Sequence, residues 1–186
     1  MRWVLPVALL GTGLAVAGTI YALRPGEKPE MPMPQGSVMA GSALVDQNYC
    51  AFCHGGKGQP TNAAIPNLGG QQVGFLYKNM LRFHHDLGNI PNVRVTSMVK
   101  VFPLLNTQQI ADIATFYAAQ KPVDAWPSLA GADPLSARKL YMNGDSALQV
   151  VACQVCHTAT GQGDPARGTP SLLHQSPGDT LLYLQA

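Results

Sequence analysis

Hydrophobic positions follow two patterns along this chain, and a third is absent. The first is a continuous run. Trp3 to Leu23 holds 21 residues without a charge. As a helix this run would span about 31 Å, enough for a hydrocarbon core. Arg2 ahead of it favours a cytoplasmic N-terminus. It reads as an uncleaved anchor. The competing reading is a signal peptide cut after Ala15-Val16-Ala17. Either one sends the rest of the chain across a membrane. The second pattern has helical period. Val73, Leu76, Tyr77, Met80 and Leu81 form one stripe and predict a helix over Phe75 to Asp86. Ile110, Ile113, Ala114 and Tyr117 form another and predict a helix over Asn106 to Gln120. Asn106 is its cap, Gln109 completes a capping box, and Pro122 follows its end. A short helix is predicted over Met39 to Tyr49. The missing pattern is alternation: Val, Ile and Thr never alternate with polar residues for long, so little argues for a sheet. The expected class is all-α, built of helices too short to stand alone in water.

Punctuation divides the chain. Residues 1–24 are the anchor or signal segment and residues 25–36 a Pro-rich tether. Residues 37–122 make a first domain, 123–134 a second Pro-rich linker, and 135–186 a second domain. The two domains read as an internal repeat. "CAFCH" (Cys50 to His54) returns as "CQVCH" (Cys153 to His157). Gly58 and Gly161 each lie four residues past the motif histidine. "IPNL" ending at Leu68 returns as "TPSL" ending at Leu172. The offset is 103 between Cys50 and Cys153 and 104 between Pro66 and Pro170, so one inserted residue accounts for the difference. Composition adds one exclusion. With 12% charged residues, a net charge of +2 and no run of five like charges, nucleic acid is not the expected partner.

All four cysteines stand in the two repeated motifs. A pair at i and i+3 sets both sulfurs on one side of a helical turn, with the next histidine facing the same space. That arrangement suits a haem: the thiols add to two vinyl groups and the histidine binds the iron. C-x-x-C-H is the attachment signature of c-type haem. A redox-active disulfide would sit near a βαβ pattern, which is absent. A four-cysteine zinc site needs its two pairs about 15–20 residues apart, and here they are about a hundred apart. The expected cofactors are therefore two covalently attached haem c groups, on Cys50, Cys53 and His54 and on Cys153, Cys156 and His157. A covalent apolar ring would also supply the centre that the short helices lack.

For the sixth ligand of the first iron the candidate is Met98, in a loop 44 residues beyond His54. Methionine opposite histidine raises the reduction potential. Met80 lies on a helical stripe and reads as core. The carbonyl of Pro66, and that of Pro170 in the repeat, is a candidate acceptor for the free N–H of the motif histidine. His84 and His85 read as packed or solvated residues, with a ligand role the lesser reading. Arg94 and Lys100 flank Met98 and read first as two solvated charges, with a weakly basic rim for an acidic partner the lesser reading.

With these residues placed, the chain resembles the di-haem cytochrome c4 family, from about Ser37 to its end. The resemblance rests on "CAFCHGGKGQ", "PNLGGQ", "FLYKNMLRF", the Met98 loop and "LNTQQIADIATFYAAQ", then on "ARKLYMNGD", "CQVCHTATGQG" and "TPSLLHQ". It implies two class I cytochrome c domains in tandem, each of three to four helices around a haem. It also implies single-electron transport in the bacterial periplasm, from a quinol-oxidising complex (quinol–cytochrome c reductase) to a terminal cytochrome c oxidase. Two departures stand out. An anchor would make this a tethered carrier on the inner membrane, whereas family members are usually soluble. The second domain also stops at Ala186, and no methionine follows His157. A helix capped by Ser176 with Pro177 first begins there. The readings are a truncated form, completion by a partner chain, or a second iron left five-coordinate or bound by His174. No nucleophile–base pair or paired catalytic carboxylates are visible, so the chain is expected not to be an enzyme. Two rivals remain: the cytochrome subunit of a periplasmic dehydrogenase, and a haem peroxidase or gas sensor using an open second haem.

Overall fold

The structure, a computed structural model, describes residues 32–85, 97–122, 124, 126–127 and 130–185. The proposed anchor, most of the first tether and Arg94 lie outside the described residues. Among the described residues no helix is long and apolar enough to cross a membrane.

Helix α1 (Val38–Gln47) starts where the Ser37 side chain accepts the Ala40 N–H. That cap places its start one residue before the expected one. Its entry is also tied across the fold: the Ser37 N–H donates to the Asp112 carboxylate at 2.8 Å. Helix α2 (Cys50–His54) is one turn long and holds the first motif. Helix α3 (Val73–His85) carries the predicted stripe, with Leu76, Tyr77 and Met80 buried. Met98 is not in a loop. It opens a short helix, α4 (Met98–Val101), followed by a 3₁₀ turn at Phe102–Leu104. Phe102 stacks on Phe83 of α3 with ring centroids 5.8 Å apart, which fastens this segment to α3.

Helix α5 (Thr107–Ala118) is the hub, packing against both α1 and α3. Asn106 and Gln109 form the expected capping box, each side chain bonded to the other's backbone. Ile110, Ile113, Ala114 and Tyr117 are all essentially inaccessible. Crossing of α1 over α5 depends on Gly41. A Cβ there would stand 2.1 Å from the Asp112 carbonyl oxygen and 2.7 Å from the Phe116 Cβ. Only a residue without a side chain lets the two backbones approach this closely.

The second repeat holds α6 (Pro134–Asn143), α7 (Gln154–His157) and α8 (Pro177–Leu184). Ser176 caps α8 with Pro177 in the first turn, as the sequence pattern predicts, and Asp133, read from the sequence as linker, caps α6. Isolated bridges at Asp145–Val150 and Asp164–Thr169 close two tight loops. Among the described residues the buried apolar core runs from Val45 to Tyr117 and takes no side chain from 130–185. By their contacts residues 33–186 form one unit.

Candidate functional site: two cysteine–histidine turns

Both motifs are held by the same local machinery. His54 ends α2, and the next residue, Gly55, turns the chain with φ 73° and ψ 152°. His157 ends α7, and Thr158 makes the same turn with φ 66° and ψ 163°. The chain then closes a loop back under the histidine. The Leu68 N–H donates to the Gly58 carbonyl at 2.8 Å, and the Leu172 N–H to the Gly161 carbonyl at 2.8 Å. Each loop brings a proline carbonyl to its histidine. His54 Nδ1 lies 3.2 Å from the Pro66 oxygen and His157 Nδ1 3.0 Å from the Pro170 oxygen. The carbonyl can only accept, so Nδ1 carries the proton in both rings. Nε2 keeps its lone pair for a metal.

His54 is buried, and burial pushes its pKa below the ordinary histidine value, partly offset by the bond to Pro66. The neutral ring that a metal needs is thereby favoured. Burial pushes the Cys50 thiol up, against a lowering by its own backbone, and Cys53 adds a smaller upward push. All four cysteines are free thiols, with Cys53 and Cys156 exposed. Thiols of this kind are what addition across a vinyl group consumes.

The donor set and its surroundings fit a covalently held porphyrin. Each motif sets two cysteines and one histidine within five residues of one another. Apolar side chains around the motifs are unburied by protein: Phe52 is 91% exposed in the first, and Val151 and Val155 are 73% and 60% exposed in the second. Short helices with so little buried area need a further apolar group to pack on. The Tyr117 hydroxyl, buried and with its pKa raised by burial and then by Cys50, has no partner among the described residues.

Met98 is half-buried and packs against the core that lines the first motif. Met80 is buried in that core. His84 is half-buried and His85 exposed, with their Nδ1 atoms 3.4 Å apart. No cluster of three metal-binding side chains is formed among the described residues. The ring of His174 is taken by Asp124, with Nδ1 2.6 Å from Oδ1. It sits at φ 60° where the first repeat has Gly70 at φ 73°. Sequence reasoning missed Gln71 and Gln175, which bind the segments behind the two histidines. A glutamine five residues after each proline is visible in the repeat, but its direction is not.

The Cytochrome c family profile matches residues 38–119. A cytochrome c4 from Pseudomonas aeruginosa is 32% identical over 74% of this chain, which spans 64% of that protein's length. A cytochrome c4 from Thiocapsa roseopersicina is 31% identical over 75% of this chain and 69% of its own. The "thiosulfate dehydrogenase electron acceptor" of Thiomonas intermedia is 30% identical over 95% of this chain and 70% of its own. Among solved structures, reduced cytochrome c4 from Pseudomonas stutzeri superposes with a TM-score of 0.66 at 28% identity, covering 81% of this chain and 79% of that one. The helical fold is that of a cytochrome c, and the cofactors that go with it are two covalently attached haem c groups. The chain belongs to the di-haem cytochrome c4 family.

Proposed function

We propose that this chain carries single electrons on the periplasmic side of a bacterial inner membrane, using two haem domains, residues 37–122 and 135–186. Cys50 and Cys53 hold the first haem and His54 ligates its iron. Cys153, Cys156 and His157 do the same for the second. Met98 is the sixth ligand of the first iron. The observation that carries this reading is the duplicated histidine anchor, Nδ1 on a proline carbonyl at both motifs. When bound, the haem iron supplies the one-electron Fe(II)/Fe(III) couple. The protein residues fix the imidazole tautomer, keep the His54 ring away from water and hold the Met98 helix against α3. The exposed Lys100 beside Met98 offers a point of approach for an acidic redox partner. In the family-type circuit the donor is a quinol-oxidising complex and the acceptor a terminal oxidase.

A second reading has a specific observation behind it. The Thiomonas relative named for a thiosulfate dehydrogenase aligns with 95% of this chain. It supports a carrier that accepts electrons from a periplasmic dehydrogenase. Reduction of the purified protein by a thiosulfate dehydrogenase and thiosulfate, but not by a quinol-oxidising complex, would select this circuit.

The core reading is tested on the holoprotein. Acidified acetone is expected to leave both haems on the polypeptide, and intact mass to show two additions. Colour that leaves with the solvent would overturn it. Met98→Ala is expected to abolish the far-red band of thioether-ligated ferric haem and to add one equivalent of carbon monoxide to the reduced form. A spectrum unchanged by Met98→Ala would remove Met98 as ligand.

A further inference from the structure

The two repeats meet through a pair of crossed glutamine clamps. The Gln175 carboxamide embraces the backbone of Asn67. Its Oε1 accepts the Asn67 N–H at 3.2 Å, and its Nε2 donates to the Asn67 carbonyl at 2.9 Å. The Gln71 carboxamide does the same to Ser171, accepting its N–H at 2.9 Å and donating to its carbonyl at 2.8 Å. Gln71 Oε1 also accepts the neighbouring Gln72 N–H at 2.9 Å. Asn67 and Ser171 hold equivalent places, each directly after the proline that anchors a histidine. Gln71 and Gln175 are equivalent too, each five residues after that proline. Asn67 and Gln71 are almost fully buried, at 3% and 5% exposure.

Each clamped N–H belongs to the same peptide group as the proline carbonyl that holds a histidine. The Pro66–Asn67 peptide accepts from His54 on its oxygen and donates to Gln175 from its nitrogen. The Pro170–Ser171 peptide accepts from His157 and donates to Gln71. Bonds in such a chain polarise one another: drawing the N–H toward an oxygen makes the carbonyl on the other side more negative. A more negative carbonyl pulls harder on Nδ1–H and makes the imidazole a stronger donor through Nε2.

We infer that Gln71 and Gln175 are positioning residues that tune the haems crosswise: Gln175 acts on the iron ligated by His54, and Gln71 on the iron ligated by His157. A stronger imidazole donor favours Fe(III) and lowers the potential. Each half of the chain thus sets part of the potential of the other half's haem.

The inference rests on His54 and His157 being the iron ligands. The test is a potentiometric titration of the full di-haem protein, with the His54 haem identified by the change that Met98→Ala causes. Gln175→Met is expected to raise the potential of the His54 haem more than that of the other. Gln71→Met is expected to raise the potential of the His157 haem more than that of the His54 haem. The Nδ1–H resonance of the facing histidine should move with each. Gln175→Glu keeps an oxygen for the Asn67 N–H, now on a stronger acceptor, and is expected to lower the potential of the His54 haem below its wild-type value. Equal shifts of both haems, shifts confined to the glutamine's own half, or no shift would overturn the inference. If Gln175→Met does not fold, Gln175→Glu decides alone: a lowered potential at the His54 haem supports the inference, and a raised or unchanged one overturns it. A wild-type protein without two attached haems would instead refute the underlying ligand assignment.

Discussion

Thr158 occupies a backbone shape that only glycine adopts without cost. Its φ of 66° and ψ of 163° match those of Gly55 in the first repeat, so the turn after the motif histidine is the same in both. A β-branched residue in that region costs about 1–3 kcal/mol. Thr158→Gly is therefore expected to raise the stability of the haem-loaded protein by about 1 kcal/mol, read from the denaturant midpoint. The reverse change is expected to be worse than simple strain. A Cβ on Gly55 would lie 2.4 Å from the Gln59 carbonyl oxygen, and backbone cannot swing aside as a side chain can. Gly55→Ala should cost about 2 kcal/mol or more and lower the yield of protein carrying the first haem. Equal stability of Gly55→Ala and wild type would show that the turn relaxes freely.

Helices in this protein are short, so their ends and crossings weigh more than their intrinsic propensity. The capping box at α5 satisfies backbone groups at both Asn106 and Gln109. Asn106→Ala is expected to cost about 1 kcal/mol, with no change in the haem spectrum. The crossing of α1 on α5 is less forgiving. At Gly41 an added methyl meets the Asp112 carbonyl, and the Asp112 side chain also holds the entry to α1 through Ser37. Gly41→Ala is expected to cost about 3 kcal/mol, three times the cap, and to reduce the holoprotein obtained. A cost no greater than that of Asn106→Ala would mean that the helices separate without penalty.

Across the whole molecule the two repeats differ in what they bury. Apolar side chains between Val45 and Tyr117 form a protein core, while Leu135, Leu148, Val151 and Val155 of the second repeat stand largely exposed. The second repeat therefore depends more on its haem for an apolar centre. Cys153→Ala combined with Cys156→Ala is expected to remove hydrogen-exchange protection from α6, α7 and α8 and leave α1, α3 and α5 protected. Protection retained in 134–184 without the second haem would contradict this dependence.

Much of this was legible along the chain. The stripe through Leu76, Tyr77 and Met80, the box at Asn106 and Gln109 and the cap at Ser176 are local. They arise from residues within a turn or two of each other, which sequence lists side by side. The motifs at Cys50 to His54 and Cys153 to His157 are local for the same reason, since one helical turn sets their spacing. Pro66 and Pro170 were legible through repetition, because a position that recurs with its motif signals a shared contact. Tertiary structure alone decided that Met98 opens a helix fastened by Phe83 and Phe102, and that His174 is turned toward Asp124. It alone decided that Gln71 and Gln175 reach across a hundred residues to hold each other's proline segments. Those outcomes depend on which distant backbone groups arrive together and need partners, and no periodicity within one segment records that.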